Sequence, residues 1–245
     1  MSSSAYLTAA AEGLRRLHET QTEAIDRAAE ALTETIAAGG RVFSFGASHS
    51  FMLTEELVYR TGGLMLINPI YPQGMNLSVR PVTLTSQLER LADLGRLLLD
   101  NSPATEGDAL LIASTSGRNA VAIDMALAAR ERGVTTIAIT SLAYAQGVPS
   151  RHPSGKHLHE LCDLVIDNCA PLGDCAVEIP GLEQKTGPLS TVIGCAAVNA
   201  LVAQVIRNLV ERGLTPPVFI SANLPGGDEH NRKLLEENRE RIFYL

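Results

Sequence analysis

The chain predicts an α/β fold: a doubly wound, five-stranded parallel sheet with helices on both faces, a long helix ahead of it and a tail behind. Three observations carry this. Short, continuously apolar runs alternate with helix-period segments, which is the pattern of parallel strands covered on both sides. Two of those runs end in turns of the same hydroxyl-rich design. An amphipathic segment too long for the sheet alone precedes the first run.

That segment comes first. Leu7, Ala10, Leu14, Leu17, Gln21, Ile25, Ala28, Leu32 and Ile36 recur every three or four residues, predicting one helix over residues 4–38. Gly39-Gly40 stops it, as glycine does past a helix C-terminus. Its length suggests packing on more than its own sheet, and an oligomer contact is the simplest use.

Strands are expected at residues 41–46, 64–67, 108–113, 134–139 and 163–167, and helices at 50–61, 86–100, 118–132, 156–161 and 190–212. A loop rich in proline and glycine, 214–227, leads to a charged helix at 228–241. The expected organisation is a helical extension over 1–40, the sheet domain over 41–213, and a tail over 214–245 that completes the site.

Composition narrows the function. The 245 residues can bury a sizeable core, and 45% apolar with no Trp points to one of Ala, Val, Leu and Ile. A formal charge of −7 argues against a general nucleic-acid surface. It leaves room for a phosphate ligand, which a few local donors decide. No stretch approaches the roughly 18 uninterrupted apolar residues of a membrane span, and Met1-Ser2-Ser3-Ser4-Ala5 is no secretory leader. A cytoplasmic location is expected. Cys162, Cys169, Cys175 and Cys195 form no C-x-x-C pair and read as inert thiols, and no feature demands a metal or cofactor.

The chemistry concentrates in two turns, Phe45-Gly46-Ala47-Ser48-His49-Ser50 and Ala113-Ser114-Thr115-Ser116-Gly117-Arg118-Asn119. Unpaired N–H groups, the positive end of a helix dipole and hydroxyls converge at such strand–turn–helix joints and make an anion cradle. In a parallel sheet both fall beyond the strand C-termini, where ligands bind. Glu55 and Glu56 follow the first turn, and because neighbours on a helix sit about 100° apart at most one faces the pocket squarely. Arg151, His152 and Lys156 are candidates for an anionic pocket, while His18, His157 and His159 read as surface histidines. His230 opens the last helix and is either a proton carrier or part of a capping loop.

These motifs resemble the SIS (sugar isomerase) domain family of phosphosugar-binding proteins, over roughly residues 20–212. Ala113–Gly117 is similar to the family's second phosphate loop. Gly46–Ser50 resembles the first, with Ser48 where many members have glycine, and Thr54-Glu55-Glu56-Leu57 with Arg60 resembles the catalytic helix of phosphoheptose isomerases. The resemblance implies a flavodoxin-like three-layer fold and selects Glu56 as the base. It further implies sugar-phosphate contacts from Gly46, Ser48, His49, Ser50, Ser114, Thr115, Ser116, Gly117, Asn119 and Ser190, and a homodimer or homotetramer with shared active sites. The late helix from Ser190 to Arg212 holds no histidine, unlike phosphoheptose isomerases, which disfavours heptose isomerisation.

Family members open with removal of the C2 proton of an open-chain sugar phosphate. An N-acetyl group on C2 disfavours isomerisation and favours loss of the C3 substituent, as in N-acetylmuramic acid 6-phosphate etherases. The expectation is therefore a lyase that dehydrates an N-acetylhexosamine 6-phosphate such as N-acetylglucosamine 6-phosphate, with Glu56 as base and His230 as acid. An aldose–ketose isomerase and a non-catalytic phosphosugar sensor are the alternatives.

Overall fold

The computed structural model describes residues 2–245. Five strands, β1 (Val42–Gly46), β2 (Ile67–Pro69), β3 (Ala109–Ala113), β4 (Thr135–Thr140) and β5 (Leu164–Asp167), form one parallel sheet in the order β2-β1-β3-β4-β5. The helices are α1 (Ser2–Ala37), α2 (Phe51–Leu57), α3 (Leu84–Leu88), α4 (Leu94–Asp100), α5 (Ala120–Glu131), α6 (Leu142–Gln146), α7 (Ser190–Glu211) and α8 (Gly227–Glu237). A short antiparallel pair, β6 (Cys175–Val177) and β7 (Thr186–Pro188), precedes α7. The expected five-stranded, doubly wound sheet is present.

Strand alternation divides the core. Val42, Leu111 and Ile137 face a layer built from α1, α2 and α7, while Phe43, Phe45, Leu110 and Ile112 face α4 and α5. Truncating one of these, such as Leu110→Ala, would cost roughly 2–5 kcal/mol. Helix α1 lies along α7 so closely that a side chain at Gly13 would strike Ile193. Gly39 adopts φ +86° and ends α1 in the left-handed conformation that favours glycine. Helix α7 is long and apolar enough by composition to cross a membrane, yet here it is a layer helix packed on α1 and α2.

Several segments depart from expectation for local reasons. The run at 64–67 pairs with β1 only from Ile67. Leu64 instead bridges Val218, because the tail returns along the sheet edge and Met65 N donates to the Pro217 carbonyl. Residues 86–100 do not form one helix. The chain breaks between α3 and α4, where Asp93 takes φ +64° and Gly95 sits against the α5 backbone with no room for a Cβ. The helix expected at 156–161 is a single 3-10 turn, Leu158–Glu160. The expected helix at 50–61 stops at Leu57, ahead of Tyr59 at φ +52°.

Candidate functional site

The sheet order reverses between β1 and β3, and Gly46 is the register partner of Ala113. The last residues of two adjacent strands therefore release the two hydroxyl turns side by side, about 5 Å apart. A cleft of about 390 Å³ opens there, bounded by both turns, Glu89, Tyr144, Asp174 and Ser190. This is the crevice at the topological switch point where doubly wound sheets bind ligands.

The two turns differ in what they offer. In the first, the backbone is largely self-satisfied: Ser48 N donates to the Met75 carbonyl at 2.7 Å and Ser50 N to Ala47 at 3.1 Å. A Cβ at Gly46 would collide with the Ser50 carbonyl, and Ser48 stands at φ +55°. The turn thus keeps a left-handed backbone at Ser48, the position where the family resemblance leads us to expect glycine. It presents the Ser48 and Ser50 hydroxyls and the exposed His49 imidazole to the cleft.

The second turn is the better anion cradle. Gly117, at φ +59°, donates to the Ser114 carbonyl at 3.1 Å and closes it. Among the described residues, the Thr115 and Ser116 amides and the hydroxyls of Ser114, Thr115 and Ser116 have no hydrogen-bond partner, though all three residues line the cleft. Open N–H and O–H donors beside the start of α5 are matched to a phosphate.

Ser190 also reaches the cleft, but its hydroxyl donates to Asp174 Oδ2 at 2.7 Å and its amide to Oδ1 at 2.7 Å. Leu189 N reaches the same Oδ1 at 3.1 Å. Asp174 therefore caps the positive end of α7, which leaves the open donors on the other wall. Asn119 opens α5 without capping it. Its amide donates to Glu89 Oε2 at 2.7 Å, and its carbonyl accepts from Arg151 Nη1 at 3.0 Å. Gly46, Gly117 and Asn119 shape the site without lining the cleft.

Neither expected catalytic residue lines the cleft within the chain. Glu56 points across to α7, where its Oε1 accepts from Asn199 at 2.9 Å and from Arg60 at 3.0 Å. Glu55 borders two smaller neighbouring hollows. His230 lies beyond the β2 edge, its Nε2 at 3.4 Å from the Val218 carbonyl, because the tail packs through Phe219, Leu234 and Ile242 on Met65. Of the three basic candidates after β4, His152 is bound to Asp124 at 3.0 Å and Lys156 to Glu160 at 3.0 Å, leaving Arg151 beside Asn119.

Two carboxyls line the cleft: Asp174, engaged at the start of α7, and Glu89, at the C-terminal edge of α3. Burial raises the Glu89 pKa above the ordinary carboxylate range, opposed by the Asn119 hydrogen bond and the nearby charges of Arg90, Arg151 and His49. A carboxyl so perturbed in a cleft is a candidate proton donor or acceptor. The sequence pattern hides it, because residues 86–100 read as one helix. Gly95 inside that run was the signal of a break.

Fold and site together define a doubly wound α/β protein with a donor-lined cleft at its switch point. The SIS domain model matches residues 5–141, and the chain belongs to the SIS domain family. It is 44% identical over 232 residues to a UPF0309 protein of Shouchella clausii, covering 95% of this chain and 94% of the relative. Among solved structures it resembles a phosphoheptose isomerase from Francisella tularensis, with TM-score 0.53 and 15% identity, covering 82% of this chain and 95% of that one. It also resembles the Vibrio vulnificus NanR protein complexed with ManNAc-6P, with TM-score 0.50 and 12% identity, covering 96% of this chain and 67% of that one.

Proposed function

We propose that the protein is a sugar-phosphate enzyme that moves the C2 proton of an open-chain sugar phosphate and then expels the C3 substituent, dehydrating an N-acetylhexosamine 6-phosphate. The observation that carries this is the half-buried Glu89 carboxyl, with its raised pKa, on the wall of a cleft whose opposite turns present unpaired donors. The phosphate rests on Ser114, Thr115 and Ser116, and the hydroxyls of Ser48 and Ser50 hold and polarise the sugar oxygens. His49 takes the C2 proton. The C2–H electrons form the C2–C3 double bond as the C3–O bond breaks, and Glu89 gives its proton to the departing oxygen, so water leaves. A carboxyl with raised pKa suits the acid role. Support for an N-acetylated ligand comes from the fold shared with the NanR protein, whose solved complex holds ManNAc-6P. The protein would act in the cytoplasm.

A second reading keeps Glu56 as base, with His230 supplied by another subunit. It is favoured by the way Arg60 and Asn199 fix the Glu56 carboxylate, and by apolar side chains left exposed on α1 (Leu7, Leu14) and α7 (Val192, Val210) that suit a second copy. Incubation with a panel of sugar 6-phosphates, followed by NMR and mass spectrometry, separates the outcomes. Loss of one water from an N-acetylhexosamine 6-phosphate supports dehydration, and an unchanged mass with a ketose spectrum means isomerisation. Binding without turnover across the panel leaves a sensor. Activity that survives His49→Gln and disappears in Glu56→Gln transfers the base to Glu56.

A further inference from the structure

Three arginines gather around the start of α5, next to the cleft-lining Glu89. Arg118 immediately precedes the N-cap of α5, and its carbonyl accepts from Arg151 N at 2.9 Å. Arg90 follows Glu89, whose carbonyl accepts from Val121 N at 3.1 Å in the first turn of α5. Three backbone segments are thereby tied to one helix start. Asn119 fixes one of the guanidinium groups, holding Arg151 Nη1 at 3.0 Å and Glu89 at 2.7 Å.

None of the three pairs with a carboxylate among the described residues, whereas Arg60, Arg96, Arg132 and Arg212 do. The Arg118 Nε is buried and has no hydrogen-bond partner. Burial and then repulsion from Arg118 and Arg90 lower the Arg151 pKa, so the cations sit close enough to destabilise one another. A chain with formal charge −7 has carboxylates to spare, yet this cluster is left largely uncompensated. Guanidinium groups held in that state are matched to an incoming anion.

The Ser114–Ser116 cradle already supplies open donors for one phosphate. We infer that Arg90, Arg118 and Arg151 form a second anion subsite, so that the preferred substrate is a sugar phosphate bearing a further anionic group, a carboxylate or a second phosphate. This rests on the sugar-phosphate reading of the cleft and adds a substrate class to it.

The test is calorimetric titration of the full chain with acyclic probes that differ only in the second group: glucitol 6-phosphate, 6-phosphogluconate and glucitol 1,6-bisphosphate. The subsite predicts that at least one dianionic-ended probe binds about tenfold or more tighter than glucitol 6-phosphate, an advantage that shrinks as salt is raised. Which of the two gains more identifies carboxylate or phosphate. Arg151→Gln and Arg90→Gln, both at exposed positions, should erase the advantage and leave glucitol 6-phosphate affinity unchanged. Equal affinity for all three probes overturns the subsite alone. Equal weakening of all three by the arginine variants also overturns it, placing the single phosphate on the arginines. Failure of every probe to bind overturns the sugar-phosphate reading and this inference with it.

Discussion

The Asn119 side-chain amide donates to Glu89 Oε2 at 2.7 Å, joining the start of α5 to the break between α3 and α4. One residue of the second hydroxyl turn therefore positions the carboxyl on the opposite side of the cleft. The proposed phosphate cradle and the proposed proton carrier are parts of one hydrogen-bonded unit.

Glu89→Gln should lower kcat by roughly 10²–10⁴-fold, the range for losing a general acid or base. Sugar-phosphate affinity should hold, because the hydroxyl turns are untouched. Steady-state kinetics alongside calorimetric binding checks both halves.

The same carboxyl gives stability a pH dependence. Its folded pKa is raised, so between the ordinary glutamate value of roughly 4.3 and the raised value the folded state holds more proton than the unfolded. Its contribution is fully present below that window and is lost as pH rises through it. Glu89→Gln should therefore gain stability relative to the parent at alkaline pH, with the difference vanishing near pH 4. Denaturant melts at several pH values would expose a wrong sign.

Asp174→Ala should uncap α7 by removing the acceptor for the Ser190 amide and hydroxyl and the Leu189 amide. The loss should be about 1–2 kcal/mol, or roughly 2–8 °C in Tm. Calorimetry reads it directly, and an unchanged Tm would refute the capping role.

At Ser48 the left-handed backbone costs roughly 1–2 kcal/mol for a residue with a Cβ, partly recovered by the lower chain entropy it has to lose compared with glycine. Ser48→Gly should be neutral or stabilising by up to about 1 kcal/mol. Ser48→Val, β-branched at positive φ, should destabilise the turn and weaken ligand binding.

Burial pushes the Cys162 thiol up to about 12, whereas Cys175 borders the cleft. With a disulfide reagent at pH 8, Cys162 should stay unmodified in the folded protein and Cys175 should react. A bound sugar phosphate should slow Cys175 alone.

How much was legible in the sequence follows from where each feature gets its determinants. Continuous apolar runs such as Ala109–Ala113 need only local composition to be strands, and the two turns announce themselves by Gly46, Gly117 and their hydroxyls. The register that sets Gly46 beside Ala113 is a property of the sheet, so the sequence alone could suggest but not fix how the turns meet. Glu89 was hidden because its position depends on Gly95 touching α5 and on Val121 N reaching the Glu89 carbonyl, contacts about thirty residues apart. Glu56 carried a motif, yet its direction is decided by Asn199 on α7, far along the chain. His230 was expected to complete the site in cis or from a neighbouring subunit, and within the chain Pro216-Pro217 and the Leu64–Val218 bridge lead the tail along the β2 edge.

The most direct measurement is incorporation of solvent deuterium at C2 of N-acetylglucosamine 6-phosphate, followed by NMR in D₂O, because both elimination and isomerisation begin by breaking that C–H bond. The parent protein should wash deuterium into C2 or release the dehydrated product, His49→Gln should lose most of both while still binding the sugar phosphate, and Glu89→Gln should lose most of the dehydration. Undiminished exchange and dehydration in His49→Gln, or binding with neither exchange nor dehydration by the parent protein, would contradict the assignment of this cleft as the site of proton transfer.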